Sequence, residues 1–192
     1  ETDRIHFVGN IMIDTLVANL EKSETLWNTK TRQYFPKNYG LVTLHRPSNV
    51  DKEEILATLM EEIIKLSSTI PIIFPVHPRT KSAIDPLNLI NHDENIKIIA
   101  PVGYLEFLAL ENHASFVITD SGGVQEETTF LKTPCFTVRA NTERPITITS
   151  GSNTLVGNDS QNLSELIETS MSHEKTNSSV PPLWDGHTAK RI

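Results

Sequence analysis

The feature that most constrains this chain is a repeated alternation of short, unbroken apolar runs with helical stripes. Leu41-Val42-Thr43-Leu44, Ile72 to Val76, Ile96 to Ile99, Phe116-Val117-Ile118, Cys135 to Val138 and Thr154-Leu155-Val156 are the runs. Between them, Ile55, Leu59 and Ile63, the segment Tyr104 to Leu110, the set Val124, Thr128 and Leu131, and the set Leu163, Leu166 and Ile167 recur at helical spacing. None of the runs alternates with period two, so each reads as a strand covered on both faces by crossover helices. The pattern predicts an α/β fold with a doubly wound, Rossmann-like parallel sheet, in which ligands bind at the carboxyl ends of the strands.

Around this frame, Ile5-His6-Phe7-Val8 reads as a further short strand, and Gly9-Asn10 as a break before the helical pattern of Ile11, Thr15, Leu16 and Leu20. The polar stretch from Ser23 to Asn38, with Trp27, Tyr34 and Phe35, reads as a surface connector. Asp51 and Glu54 have capping-box spacing ahead of the Ile55 stripe. Pro75 demotes its strand towards an edge or a bulge, and Pro86 cuts the helix through Ala83 and Ile84. The expected organisation is a ligand-binding domain over residues 1–172 and a tail over 173–192. Ser172 to Ser179 is polar and loop-like, and Leu183-Trp184-Asp185-Gly186 must dock on something, having no core of its own.

One strand end stands out. Phe116-Val117-Ile118 runs into Thr119-Asp120-Ser121-Gly122-Gly123-Val124-Gln125-Glu126-Glu127, a strand, a tight turn and a helix start. Ser121 is an N-cap candidate, while Gly122 and Gly123 let a ligand approach backbone N–H groups that lack a helical partner. Such a helix start suits a phosphate. Glu126 and Glu127 lean back towards the turn, and a carboxylate there could accept both hydroxyls of a ribose. Together these features point to a nucleotide. The plainer alternative is that Ser121 only caps the helix and the glutamates only favour its positive end.

Other chemistry-bearing residues fall where strands give way to loops: His45-Arg46, His77-Pro78-Arg79, Pro101 to Phe107 and Arg139. The fold would bring them to one rim. There His45, Arg46 and Arg139 can offset a diphosphate, and Phe107 could stack on a base. Taken singly, His45 or His77 could simply bond to loop backbone, Phe107 could be core, and Arg139 and Arg144 could be surface charges.

Composition narrows the partners. The 192 residues carry a formal charge of −7, with 38% hydrophobic and 21% charged residues. This balance argues against a general nucleic-acid binder, which normally carries a basic surface. No apolar run approaches the length of a membrane span, no signal-peptide pattern is present, and a cytoplasmic location is expected. Cys135 is the single cysteine, sits in an apolar segment and reads as packing. No Cys/His cluster has zinc-ligand spacing, so no metal is expected.

Several of these segments together resemble one family, the non-hydrolysing UDP-N-acetylglucosamine 2-epimerases, whose subunits have the two-domain GT-B fold. The matching pieces are Gly9 to Asp14, Thr43-Leu44-His45-Arg46, Val76-His77-Pro78, Tyr104-Leu105-Glu106-Phe107, Thr119 to Glu127, Arg139 with Thr142-Glu143-Arg144-Pro145, Leu155-Val156-Gly157 and Asp185-Gly186. They run nearly end to end and resemble the C-terminal half of the family. Many members carry a glutamate where this chain has Ser48, and the tail before Asp185-Gly186 also departs from the common pattern.

The resemblance implies an isomerase that eliminates UDP from UDP-GlcNAc across C1 and C2 and adds it back to give UDP-ManNAc, without a cofactor. It implies that Ser121, Gly122 and Gly123 hold the diphosphate, Glu127 the ribose and Phe107 the uracil region, with Arg144 lining the cleft. His45 belongs to the catalytic set, and Arg46, His77 and Arg139 are possible substrate or phosphate contacts. The expected partners are UDP and a UDP-N-acetylhexosamine, a preceding N-terminal domain that supplies further carboxylates and receives the tail, and a second copy in a homodimer. Two other readings stay open: the donor-binding domain of a GT-B glycosyltransferase, and a nucleotide-sugar-binding module without chemistry.

Overall fold

The computed structural model describes residues 4–87, 95–157, 160–172 and 178–192. Its six strands are β1 (Gly40–Thr43), β2 (Ile72–Pro75), β3 (Ile96–Ile99), β4 (Phe116–Thr119), β5 (Cys135–Thr137) and β6 (Asn153–Leu155). They form one sheet in the order β3-β2-β1-β4-β5-β6, with every pairing parallel. The chain therefore starts at the centre, winds outward to β3, and returns to wind the other way from β4. That reversal opens a crevice between the carboxyl ends of β1 and β4.

The large apolar residues of β1, β2, β4 and β5 divide between two cores, which is why those runs show no polar alternation, whereas the edge strand β3 leaves Lys97 and Ile98 exposed. Val42, Ile72, Phe74, Phe116, Ile118 and Phe136 face one side, against Leu56, Leu59, Met60, Ile63 and Leu66 of α3 (Glu53–Ser67) and Leu163 and Ile167 of α8 (Leu163–Ser172). Leu41, Ile73 and Val117 face the other, with Ala109 and Leu110 of α5 (Tyr104–His113) and Val124 of α6 (Gly122–Leu131). At the start of β1 only glycine fits, because a Cβ on Gly40 would stand 2.3 Å from Phe116 Cζ.

Four local expectations are corrected. Ile5 to Val8 is not a strand: the segment is irregular and leaves Ile5 80% and Phe7 67% exposed. The Ser23 to Asn38 stretch is not a loose connector. Helix α1 (Ile11–Leu26) continues into a π-helical turn, Trp27–Thr31, and a 3-10 turn, Arg32–Tyr34. Trp27 is buried there, stacked on His113 with ring centroids 4.4 Å apart. The capping box is absent, since α3 begins after Lys52 without a side-chain cap and Asp51 instead pairs with Arg79. Pro75 lies in an interior strand, but recorded pairing of β2 to β1 stops at Ile73, so its missing N–H interrupts no ladder bond there.

The expected helix break at Pro86 is found, with α4 (Pro78–Ile84) giving way to a 3-10 turn over Asp85–Leu87. Most of the loop read from Ser172 to Ser179 lies outside the described residues. The described part of the tail packs on α1 of the same chain. Asp14 accepts from the backbone N–H groups of Thr188 (3.0 Å) and Ala189 (2.8 Å) at the start of α9 (Thr188–Arg191). Gly186 sits against Val17 so closely that a Cβ there would meet it at 2.9 Å, and Trp184 is buried.

Candidate functional site

The crevice between β1 and β4 is pinned by Asp120, whose side chain is fully buried. Its carboxyl oxygens accept from the backbone N–H of His45 (3.1 Å to Oδ2) and of Arg46 (2.9 Å), and from Asn49 Nδ2 (3.1 Å). Asn49, in the short helix α2 (Pro47–Val50), also donates to the Val138 carbonyl at 2.9 Å. The His45 ring turns back onto the same carboxyl, with Nδ1 3.1 Å from Oδ1, while the side chain stays 43% exposed. This contact favours the tautomer protonated on Nδ1 and leaves Nε2 as the ring atom available to a ligand.

Beside it, Ser121 occupies the N-cap of α6 in an extended conformation but makes no side-chain capping bond. The turn is nevertheless held, because the Ser121 N–H donates to Thr119 Oγ1 at 3.0 Å. A Cβ at Gly122 would meet nothing within 4 Å, and one at Gly123 only Ser121 Oγ at 4.0 Å. The backbone at the helix start is therefore open to close approach on the side where a Cβ would stand, which suits an anion site.

The two glutamates, equivalent in the sequence, have different surroundings. Glu126 is partnered within this chain: Asn10 Nδ2 donates to Oε1 at 3.0 Å, and Arg144 is ion-paired with the same oxygen, its Nε 2.9 Å away but without hydrogen-bond geometry. Glu127 accepts from Tyr104 Oη at 2.9 Å and faces the carboxyl of buried Glu111. Burial pushes Glu127 above the usual carboxylate range, against the lowering effect of the Tyr104 hydroxyl and of Glu111 beside it. Glu111 is pushed up further, by burial first and then by the facing carboxylate. The unfolded chain therefore loses this proton at lower pH than the folded one. The contribution is full below the ordinary carboxyl range and is lost as pH rises towards the raised folded value.

Arginines complete the rim. Arg139 donates through Nη2 to Glu143 Oε1 at 3.0 Å, yet its Nη1 is buried without a partner among the described residues, as is Arg46 Nε. Glu143 is held below the usual carboxylate range by the Arg139 bond first, with Arg46 and Arg144 adding to it, so the three guanidinium groups converge. Arg144 is placed by a buried polar network that the sequence did not reveal. Its N–H donates to Thr142 Oγ1 (3.0 Å), which bonds Gln125 Oε1; Asn153 donates to Gln125 (3.3 Å) and to Thr147 (3.0 Å), and Thr137 donates to Asn153 (2.7 Å).

Two further expected site residues also make local contacts. His77 caps α4, its Nδ1 accepting from the Arg79 N–H at 3.3 Å, which is the loop-backbone role open to it in the sequence. Phe107, in the first turn of α5, is half-buried against the core. A cavity of about 390 Å³ lies elsewhere, lined by Ser115, Thr133, Pro134 and Ser152, residues that precede β4, β5 and β6 at the opposite rim. Among the described residues, no group of three or more His, Cys, Asp or Glu side chains could hold a metal ion, and no helix is long and apolar enough to cross a membrane.

Comparison with known proteins shows the family. The family model described as UDP-N-acetylglucosamine 2-epimerase matches residues 1–192. A UDP-N-acetylglucosamine 2-epimerase of Methanococcus maripaludis is 43% identical over 200 residues, covering 99% of this chain and 54% of that protein. One of Methanocaldococcus jannaschii is 41% identical, covering 100% and 54%. The crystal structure of the Methanocaldococcus jannaschii enzyme in complex with UDP-GlcNAc and UDP superposes with a TM-score of 0.86 at 39% identity, covering all of this chain and 55% of that one. The Neisseria meningitidis enzyme bound to UDP-GlcNAc gives 0.86 at 27% identity, covering 100% and 54%. The chain thus spans about half the length of the relatives it matches, and its doubly wound sheet corresponds to the C-terminal domain of their GT-B fold. Sequence and overall fold agree over the whole length, and this chain belongs to the UDP-N-acetylglucosamine 2-epimerase family.

Proposed function

We propose that this chain is the UDP-holding part of a UDP-N-acetylglucosamine 2-epimerase that interconverts UDP-GlcNAc and UDP-ManNAc. The observation that carries the reading is the set of buried guanidinium nitrogens without a hydrogen-bond acceptor among the described residues, Arg46 Nε, Arg139 Nη1 and Arg144 Nε, at the rim that also holds the open helix start at Gly122 and Gly123. A buried guanidinium N–H without an acceptor is unfavourable, and a bound diphosphate would supply the missing acceptors. The two relatives whose structures hold UDP-GlcNAc support the choice of ligand.

In this reading Ser121, Gly122 and Gly123 bind the diphosphate through backbone N–H groups, with Arg46, Arg139 and Arg144 around it. Glu127 accepts the ribose hydroxyls. Glu126 is already committed to Asn10 and Arg144 and orients the arginine instead. Phe107 and the start of α5 flank the uracil. The reaction breaks the bond from C1 to the UDP oxygen, which leaves with the electron pair, as the C2 proton is removed. UDP adds back to C1 after a proton is returned to the other face of C2. Fixed donors around the departing diphosphate lower this barrier without reorganising at the moment of reaction. His45, with Nε2 available and its ring set by Asp120, is the catalytic residue of this chain, acting at the phosphates and reacting sugar. Carboxylates for the C2 proton come from a preceding domain, and the assembled enzyme acts as a homodimer.

Calorimetric titration with UDP tests the reading. Arg139→Ala and Glu127→Ala should each weaken binding by about tenfold, the loss expected for one hydrogen bond to a charged group. Unchanged affinity in both would overturn it. The 192-residue chain alone should show no epimerisation of UDP-GlcNAc when the sugar protons are followed by NMR, and measurable turnover would show that the chemistry needs no other domain.

A further inference from the structure

Glu111 lies one helical turn after Phe107 in α5 and plays no part in the mechanism above. Its carboxyl group is 0% exposed, and neither oxygen has a hydrogen-bond donor among the described residues. The group it faces is the Glu127 carboxyl on α6. Two carboxylates facing each other in the interior repel and leave their lone pairs without donors, whereas one retained proton turns the same pair into donor and acceptor. Tyr104 already donates to Glu127 Oε1 at 2.9 Å, which makes Glu127 the accepting member. The proton then belongs on Glu111, the more deeply buried of the two.

We propose that Glu111 is a positioning residue, kept as the neutral acid and donating to Glu127, so that Tyr104 and Glu111 together set the Glu127 carboxylate for the ribose hydroxyls of a nucleoside diphosphate. This rests on the reading that Glu127 holds the ribose. The shared proton also leaves the pair with one negative charge instead of two beside an anionic ligand. The other titratable groups acting on the pair are Glu126 from α6 and Cys135 from β5, whose thiol burial pushes up to about 12, so that it stays neutral.

The protonation is read directly by carbon NMR of glutamate side-chain carboxyls in the 192-residue chain at neutral pH, with Glu111 assigned through its disappearance in Glu111→Gln. A protonated Glu111 beside an ionised Glu127 is expected, and an ionised Glu111 overturns the proposal. UDP titration gives the consequence. Glu111→Gln keeps a donor and should bind UDP within about twofold of wild type, while Glu111→Leu loses it and should bind about tenfold more weakly. Inorganic pyrophosphate, which has no ribose, should bind both variants as it binds wild type, a discrimination that general loss of structure would not give. If Glu111→Leu does not fold, the NMR result and Glu111→Gln decide: weakened UDP binding by Glu111→Gln overturns the donor role. Weaker binding by Glu127→Ala with no change in Glu111→Leu sinks the Glu111 role alone. No change in Glu127→Ala removes the ribose reading and this inference with it.

Discussion

Replacing Asp120 by Ala is expected to lower the unfolding free energy by about 3–5 kcal/mol, the range for breaking a buried, multiply bonded polar partner. The side chain is wholly buried and serves the backbone N–H groups of His45 and Arg46 as well as Asn49 Nδ2. Without it these donors lose their partner, and β1 and β4 lose the link that closes their carboxyl ends. Asp120→Asn, of equal size, should fall between the two, since it keeps one acceptor oxygen but turns an NH₂ towards other donors. Urea unfolding measures both. The same substitutions should free the His45 ring, visible as a changed tautomer ratio in nitrogen NMR. A stability loss below about 1 kcal/mol for Asp120→Ala would mean that the link is surface-like in energy.

The second large effect concerns the tail. Trp184→Ala should destabilise the chain by about 3–5 kcal/mol, the usual range for truncating a buried tryptophan. The side chain is 6% exposed, and its segment is held on α1 by Asp14, by Gly186 against Val17 and by Arg191, which donates to the Val8 carbonyl at 3.2 Å. The sequence expectation set the tail against a preceding domain, but the described contacts are with α1 and the segment before it. If the tail were held only by another domain, thermal unfolding of this chain would be the same with Trp or Ala at position 184.

The sheet was legible because strands covered on both faces need unbroken apolar runs, and each such run from Leu41 onward became a strand. Ile5 to Val8 has a similar composition without the same fate: it joins no strand of the sheet and leaves Ile5 and Phe7 exposed. The burial of Trp27 was not legible because the ring it stacks on most closely, His113, is distant in sequence. Within the candidate site, the Ser-Gly-Gly turn, His45 and the arginines were visible as residue types at strand ends. The roles of Asp120, Asn10, Gln125, Asn153 and Glu111 were not, because each depends on a long-range pairing. The difference between Glu126 and Glu127 likewise comes from what faces them, Asn10 and Arg144 for one, Tyr104 and Glu111 for the other.

The most direct test of the central claim is backbone amide NMR of this chain during addition of UDP. The account predicts saturable shifts at Ser121, Gly122 and Gly123, accompanied by His45, Arg139 and Glu127, with little change at Ser115, Thr133 and Ser152 on the opposite rim. Saturable shifts confined to that opposite rim, with the Ser-Gly-Gly amides unmoved, would contradict it.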